Sequence, residues 1–194
     1  MSIALRCRCG KLQGQVDHRR VAARAACYCK DCQAYGHFLG GEVLDAAGGT
    51  EVAATLPAAV RFDTGLEHLA CMSLSPKGIY RWYASCCRTP IGNTPRDPRT
   101  AYVGLVRSCL AAPDAELDRL LGPLKARVQT ASASAPVPTS MLGTASVVLK
   151  VGTMMMKARL GGGYKHNPFF RPGTSEPVKP PQVLSLEERK ALTP

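Results

Sequence analysis

The stretch His68-Leu-Ala-Cys71-Met-Ser-Leu74-Ser75-Pro76-Lys77-Gly78-Ile79-Tyr80-Arg81-Trp82-Tyr83-Ala84-Ser85-Cys86-Cys87 decides the fold. Two apolar runs flank a Pro/Gly turn, and the second is dense in the β-favouring residues Ile79, Tyr80, Trp82 and Tyr83, so the segment predicts a β-hairpin. Further strands are expected on either side of it. Leu12 to Val16 is short and alternating, Ala59 to Phe62 leads into a Thr64-Gly65 turn, and Ala101 to Arg107 contains Tyr102, Val103, Leu105 and Val106. Residues 1–110 therefore read as a mainly β domain, a small system of short antiparallel strands in which metal at the turns compensates for a modest core.

The hairpin ends on one of three cysteine clusters. Cys7-Arg8-Cys9, Cys27-Tyr28-Cys29-Lys30-Asp31-Cys32 and Cys86-Cys87 together hold seven of the nine cysteines. Thiolates one to three residues apart on a turn can converge on one ion at about 2.3 Å, so Zn2+ is the expected cofactor. A disulfide framework is the competing reading. Met1-Ser2-Ile3-Ala4-Leu5-Arg6-Cys7 lacks the apolar stretch of a secretory leader, so a cytoplasmic, reducing address is expected, where persistent disulfides are disfavoured. Cys71 and Cys109 stand alone in strand-like surroundings and are expected to be buried thiols. His18, His68 and His166 show no ligand spacing.

The chain has 194 residues and a formal net charge of +11. That length suits one domain with an appendage. The basic surplus lies at both ends: residues 1–40 carry seven Lys/Arg against two Asp, and residues 125–194 carry ten against three acids. In the N-terminal part Arg6, Arg8, Lys11, Arg24 and Lys30 lie beside the cysteines, where they are expected to offset thiolate charge. Aromatic residues are only 6%, with no alternation of bases and aromatics that would form a stacking platform, which argues against nucleic acid as a partner.

After Cys109 the pattern turns helical. Leu117, Leu120, Leu121 and Leu124 recur at helix spacing behind Asp114 as the expected N-cap. Thr130 to Ser140 reads as a linker, and the apolar run from Met141 to Leu160, ahead of Gly161-Gly162-Gly163, reads as a second helix. The run contains Lys150 and is too short for a bilayer crossing. Met154-Met155-Met156 points three ways on a helix and cannot easily share a cuprous ion, so core or dimer packing is expected of it. A helix lying on a membrane surface is the alternative, with Lys150, Lys157 and Arg159 at the interface. The tail beyond is Pro-rich and extended, ending in a short helix for which Ser185 and Glu188 form a capping box. Residues 111–194 thus read as a helical and extended segment packed on the β domain.

Taken in order and spacing, Cys7-Arg8-Cys9-Gly10, Cys27-Tyr28-Cys29-Lys30-Asp31-Cys32-Gln33 and Cys87-Arg88-Thr89-Pro90-Ile91 resemble the glutathione-dependent formaldehyde-activating enzyme family, which includes centromere protein V. The resemblance covers roughly residues 5–108 and looks like a bacterial branch with a C-terminal extension. It implies a β-tent fold with two zinc positions. In the first, Cys7 and Cys9 would combine with cysteines of the late hairpin; the family's late block looks like Cys-x-x-Cys-Gly, and here Ala84 stands where its first cysteine should be. Cys86 and Cys87 face opposite ways in an extended strand, so both can bind one ion only where the backbone turns. In the second, Cys27, Cys29 and Cys32 would leave a coordination position open unless His37 fills it or serves as a proton relay. The resemblance implies glutathione or another small thiol as substrate, added to formaldehyde as an S-hydroxymethyl adduct or released from one by carbon–sulfur lyase chemistry. The reading from a different class is a noncatalytic zinc scaffold whose basic ends bind a protein, nucleic acid or membrane surface.

Overall fold

The computed structural model describes residues 2–194. Up to the last strand of the N-terminal part the order is β1 (Ser2–Arg6), β2 (Gln13–Asp17), β3 (Val21–Cys27), α1 (Lys30–Phe38), β4 (Thr50–Thr55), β5 (Val60–Thr64), β6 (Leu69–Ser73), β7 (Tyr80–Ala84), β8 (Thr89–Thr94) and β9 (Val103–Val106). There follow α2 (Asp114–Leu121), β10 (Leu124–Val128), α3 (Met141–Leu160), β11 (Pro181–Val183) and α4 (Leu186–Leu192). The protein is mainly β with helices towards its C-terminus.

The hairpin read from the sequence is β6 paired with β7, with Leu69 opposite Ala84 and Cys71 opposite Trp82. It sits inside a far larger sheet than expected. Eight strands run in the order β10-β3-β4-β9-β8-β7-β6-β11, and β1-β2-β5 form a separate three-stranded sheet. The pairs between β3 and β6 are antiparallel, whereas β10 on β3 and β11 on β6 are parallel. The residues after Leu110 therefore supply both edge strands of the large sheet, covering backbone groups that β3 and β6 would otherwise present to other chains. Alanine-rich β3 (VAARAAC) and β4 (TEVAAT) escape a reading by β-propensity because alanine is a weak strand former.

Side chains alternate across the large sheet with period two. Cys71, Trp82, Ile91 and Leu105 face the small sheet and pack against Ile3, Leu5, Val16 and Val60. Met72, Val52 and Val106 face the other way, against Ala34 and Tyr35 of α1 and Leu39 at its C-terminal end. Cys71 and Cys109 are buried in the first of these clusters, as lone thiols in strand-like surroundings should be. Trp82 is fully buried, donates its indole N–H to Thr94 Oγ1 at 2.9 Å, and packs against the tilted ring of Phe169 from the C-terminal segment, centre to centre 5.1 Å.

Several expectations need correction. The helix read through Leu124 stops at Leu121, because Gly122 takes a φ of 76° and Pro123 follows, and Leu124 opens β10 instead. Pro113 rather than Asp114 is its N-cap; Asp114 instead pairs with Arg107. Arg24 does not offset thiolate charge. It is 5% exposed, donates to Glu51 at 2.7 Å and to the Gly122 carbonyl at 2.9 Å, and pairs with Asp118, tying α2 to the sheet. The helix over 141–160 is present, capped by Ser140, and the terminal capping box of Ser185 and Glu188 forms as expected. Of the methionines, Met156 is 58% exposed and so is not core packing.

Trp82→Ala removes the largest fully buried side chain and leaves Thr94 Oγ1 without its donor. Urea unfolding should show a loss of about 3–5 kcal/mol, the usual range for emptying such a site.

Candidate metal centres

Two groups among the described residues bring three or more ligand atoms within 4.8 Å of one another: Cys7, Cys9, Cys86 and Cys87, and Cys27, Cys29 and Cys32. Each group could hold a metal ion. They are built by different local devices.

The four-cysteine group joins the two sheets at one end. Cys7 and Cys9 lie in the loop between β1 and β2, where Gly10 with φ 76° lets the chain reverse and Cys7 accepts the Leu12 N–H on its sulfur at 3.3 Å. Cys86 and Cys87 lie in the turn between β7 and β8, where the Cys87 N–H reaches the Ala84 carbonyl at 3.4 Å and Arg88 takes a left-handed φ of 55°. The backbone turns there, so the adjacent pair can aim at one point. Four sulfurs each about 2.3 Å from one ion stand about 3.8 Å apart in a tetrahedron. Here Cys7 is 3.6 Å from Cys9 and 3.8 Å from Cys86, Cys9 is 3.3 Å from Cys86, and Cys86 is 3.8 Å from Cys87. The donor set fits a tetrahedral thiolate-binding ion with little adjustment.

Within this group the metal-free thiols are not equivalent. Burial together with hydrogen bonds to Cys9, Cys7 and Cys87 pushes Cys86 up to about 12. Burial acts the same way on Cys87, but hydrogen bonds from the Thr89 hydroxyl at 3.1 Å and from the Cys9 backbone outweigh it and bring the thiol down to about 6. Arg8 steadies the same turn through the Cys87 carbonyl at 2.7 Å and pairs with Glu42.

The three-cysteine group follows from one chain reversal. Cys27 ends β3, Cys29 is the N-cap of α1 and accepts the Cys32 N–H at 3.4 Å, and Cys32 lies in the first helical turn. A sulfur in the N-cap position takes up a helix N–H that would otherwise lack a partner. Cys27 and Cys32 donate to Cys29, which lowers the Cys29 thiol and raises Cys27. Cys32 is buried, while Cys27 and Cys29 remain partly open to solvent.

Arg81 is the neighbour that sequence reading missed. It comes from β7, on the face opposite Trp82, and is 2% exposed. Its guanidinium lies 3.9 Å from Cys32 Sγ, 3.3 Å from Asn93 Oδ1 and 5.3 Å from the centre of the Tyr35 ring. No spacing rule could have found it, because it is 49 residues from Cys32 along the chain. A cation at a strand position otherwise surrounded by apolar and aromatic residues was the available signal. Tyr102 also borders the group: burial, then the thiols of Cys32 and Cys27, push its phenol up to about 12.

His37 is not among the residues grouped with these thiols. It stands near the end of α1 with Nδ1 2.9 Å from the Leu192 carbonyl, at the contact with α4, so it docks the terminal helix. Helix geometry explains this: five positions beyond Cys32 is well over one turn, which carries His37 away from the first-turn sulfurs.

The profile of a family of unknown function, DUF6151, matches residues 1–179. No curated protein matches the chain. Among solved structures, a Rhodobacter sphaeroides protein superposes with a TM-score of 0.44 at 16% identity, covering 63% of this chain and 97% of that one.

Alkylation of chelator-treated, reduced protein near neutral pH should modify Cys87 well before Cys86, since of these two thiols Cys87 carries the larger thiolate fraction there. Peptide mapping by mass spectrometry reads the order.

Proposed function

We propose, for a chain that belongs to the family of unknown function DUF6151 and so takes no activity from its family, a two-site zinc protein with one structural and one open centre. The observation that carries this reading is the difference between the two groups: four sulfurs in one, three in the other. Cys7, Cys9, Cys86 and Cys87 complete a tetrahedral set, the arrangement of structural zinc. Cys27, Cys29 and Cys32 would hold zinc with one position left for a small ligand.

The chemistry that zinc supplies in such a setting is stabilisation of a bound thiol in its nucleophilic thiolate form. The chain's own residues frame that position. Arg81 reaches Cys32 from the buried side, Asn93 and Tyr35 hold Arg81, and the buried phenol of Tyr102 lies close to Cys32 and Cys27. The resemblance of the three cysteine blocks to the glutathione-dependent formaldehyde-activating enzyme family implies glutathione or a related small thiol as the ligand. The reaction would then be addition of its sulfur to formaldehyde, with a carbon–sulfur bond formed and the carbonyl oxygen protonated to the S-hydroxymethyl hydroxyl, or the reverse cleavage.

One observation favours the noncatalytic scaffold instead. Four surface cavities of 480–750 Å³ are lined by residues other than Cys27, Cys29 and Cys32. A scaffold would use both ions to fix the loops and leave recognition to other surfaces.

Elemental analysis of the wild-type protein should give close to two zinc ions per chain, and Cys29→Ala should give close to one with an unchanged far-UV spectrum. Cys9→Ala should instead lower thermal stability sharply. If Cys29→Ala unfolds the protein while Cys9→Ala does not, the structural and open assignments are reversed. Millimolar glutathione should slow modification of the Cys27–Cys32 segment by thiol reagents; unchanged modification rates would favour the scaffold.

A further inference from the structure

Helix α3 carries a surface that neither zinc centre uses. Val147 is buried against β3 and β10, in the small cluster formed with Ala23, Ala25 and Ala126, and Ala158 is buried on the same side of the helix. The opposite side is apolar and open to solvent: Leu142 is 86% exposed, Leu149 71%, Met156 58% and Leu160 82%. At 100° per residue Leu142, Ala145, Leu149, Gly152 and Met156 form one stripe along the axis. At 1.5 Å per residue the stripe from Leu142 to Met156 runs about 21 Å along the 20-residue helix. A continuous apolar surface of that length is a docking surface rather than scattered exposure.

The charges around the stripe select the partner. Lys150 and Lys157 lie along one flank, Arg159 lies on the other, and the helix contains no acidic residue. Beside the same flank a groove of about 720 Å³ brings Arg19 and Arg20 together with Lys150 and Lys157. Of these, Arg20 has Asp17 at 3.6 Å, and Asp97 lies close enough to Arg159 for the two charges to interact. A second copy of this helix, in either orientation, would bring like charges together with no carboxylate between them. A nucleic acid would satisfy the lysines but leave the stripe in water. No helix among the described residues is long and apolar enough to cross a membrane.

From this arrangement we infer that α3 lies on an anionic membrane surface, with Leu142, Leu149 and Met156 in the acyl boundary and Lys150, Lys157, Arg19 and Arg20 among acidic lipid headgroups. The α3 helix packs on β3, whose last residue is Cys27, but no residue of α3 belongs to either group of thiols.

Co-sedimentation of the full, zinc-loaded chain with phosphatidylcholine vesicles, with and without phosphatidylserine, tests the assignment. Binding is expected only to the phosphatidylserine vesicles and should weaken as salt is raised. Leu149→Asp, and separately Lys150→Glu with Lys157→Glu, should each weaken it about tenfold or more, with zinc content and circular dichroism unchanged. These side chains are exposed, so folding survives the changes. Equal binding to both vesicle types, or none at low salt, overturns the inference. A concentration-dependent dimer that Leu149→Asp abolishes, without vesicle binding, assigns the stripe to a second copy. Capture by an acidic amphipathic helix peptide without vesicle binding assigns it to a protein partner.

Discussion

Four sulfurs lie 3.3–3.8 Å from their neighbours where the β1–β2 loop meets the β7–β8 turn, and all the cysteines are free. As thiolates they would repel one another, and as thiols they exchange only weak hydrogen bonds. A shared cation would turn the same crowding into a cross-link between the two sheets. The small sheet has just three strands and buries only one face against Trp82, Ile91 and Leu105, so a fastener at its open end does more than one added to the middle of the large sheet.

Strand β7 connects this fastener to the second group. Trp82 points into the core between the sheets, Arg81 points to the other face beside Cys32, and the strand runs directly into Cys86 and Cys87. The period-two alternation of one five-residue strand thereby gives the apolar core and the polar site a common ruler. Arg81 is costly to bury, and its partners account for its tolerance: a carbonyl oxygen from Asn93, the ring face of Tyr35 and the sulfur of Cys32. A buried guanidinium favours negative charge on the neighbouring sulfur, which suits a thiolate ligand better than a neutral thiol.

The C-terminal segment is part of the sheet as well as a cover for it. β10 and β11 close opposite edges, Phe169 packs against Trp82, and α4 rests on α1 through His37 and through Arg189, which reaches Asp31 at 2.9 Å. Asp31 sits between Cys29 and Cys32 in the first turn of α1, so the terminal helix also steadies the helix start that carries two of the three thiols. By contrast α3 gives little of its surface to the core, which leaves its apolar stripe available to a partner outside the molecule.

Read alone, the sequence determined what depends on neighbours along the chain: the hairpin around Ser75-Pro76-Lys77-Gly78, the helix over 141–160, the capping box at Ser185 and Glu188, and the clustering of seven cysteines. Spacing carries those features, because turns, caps and short ligand motifs are local. Tertiary structure alone decided that Cys86 and Cys87 both reach Cys7 and Cys9, that Arg81 stands beside Cys32, that Arg24 belongs to Glu51 and Asp118, and that His37 serves α4. It also decided the pairing of β10 and β11, whose weak strand signals lie after the break at Gly122-Pro123 and within a Pro-rich tail. In each case the partners lie tens of residues or more apart, and only the register of the sheet, set by burial of one face, brings them within reach.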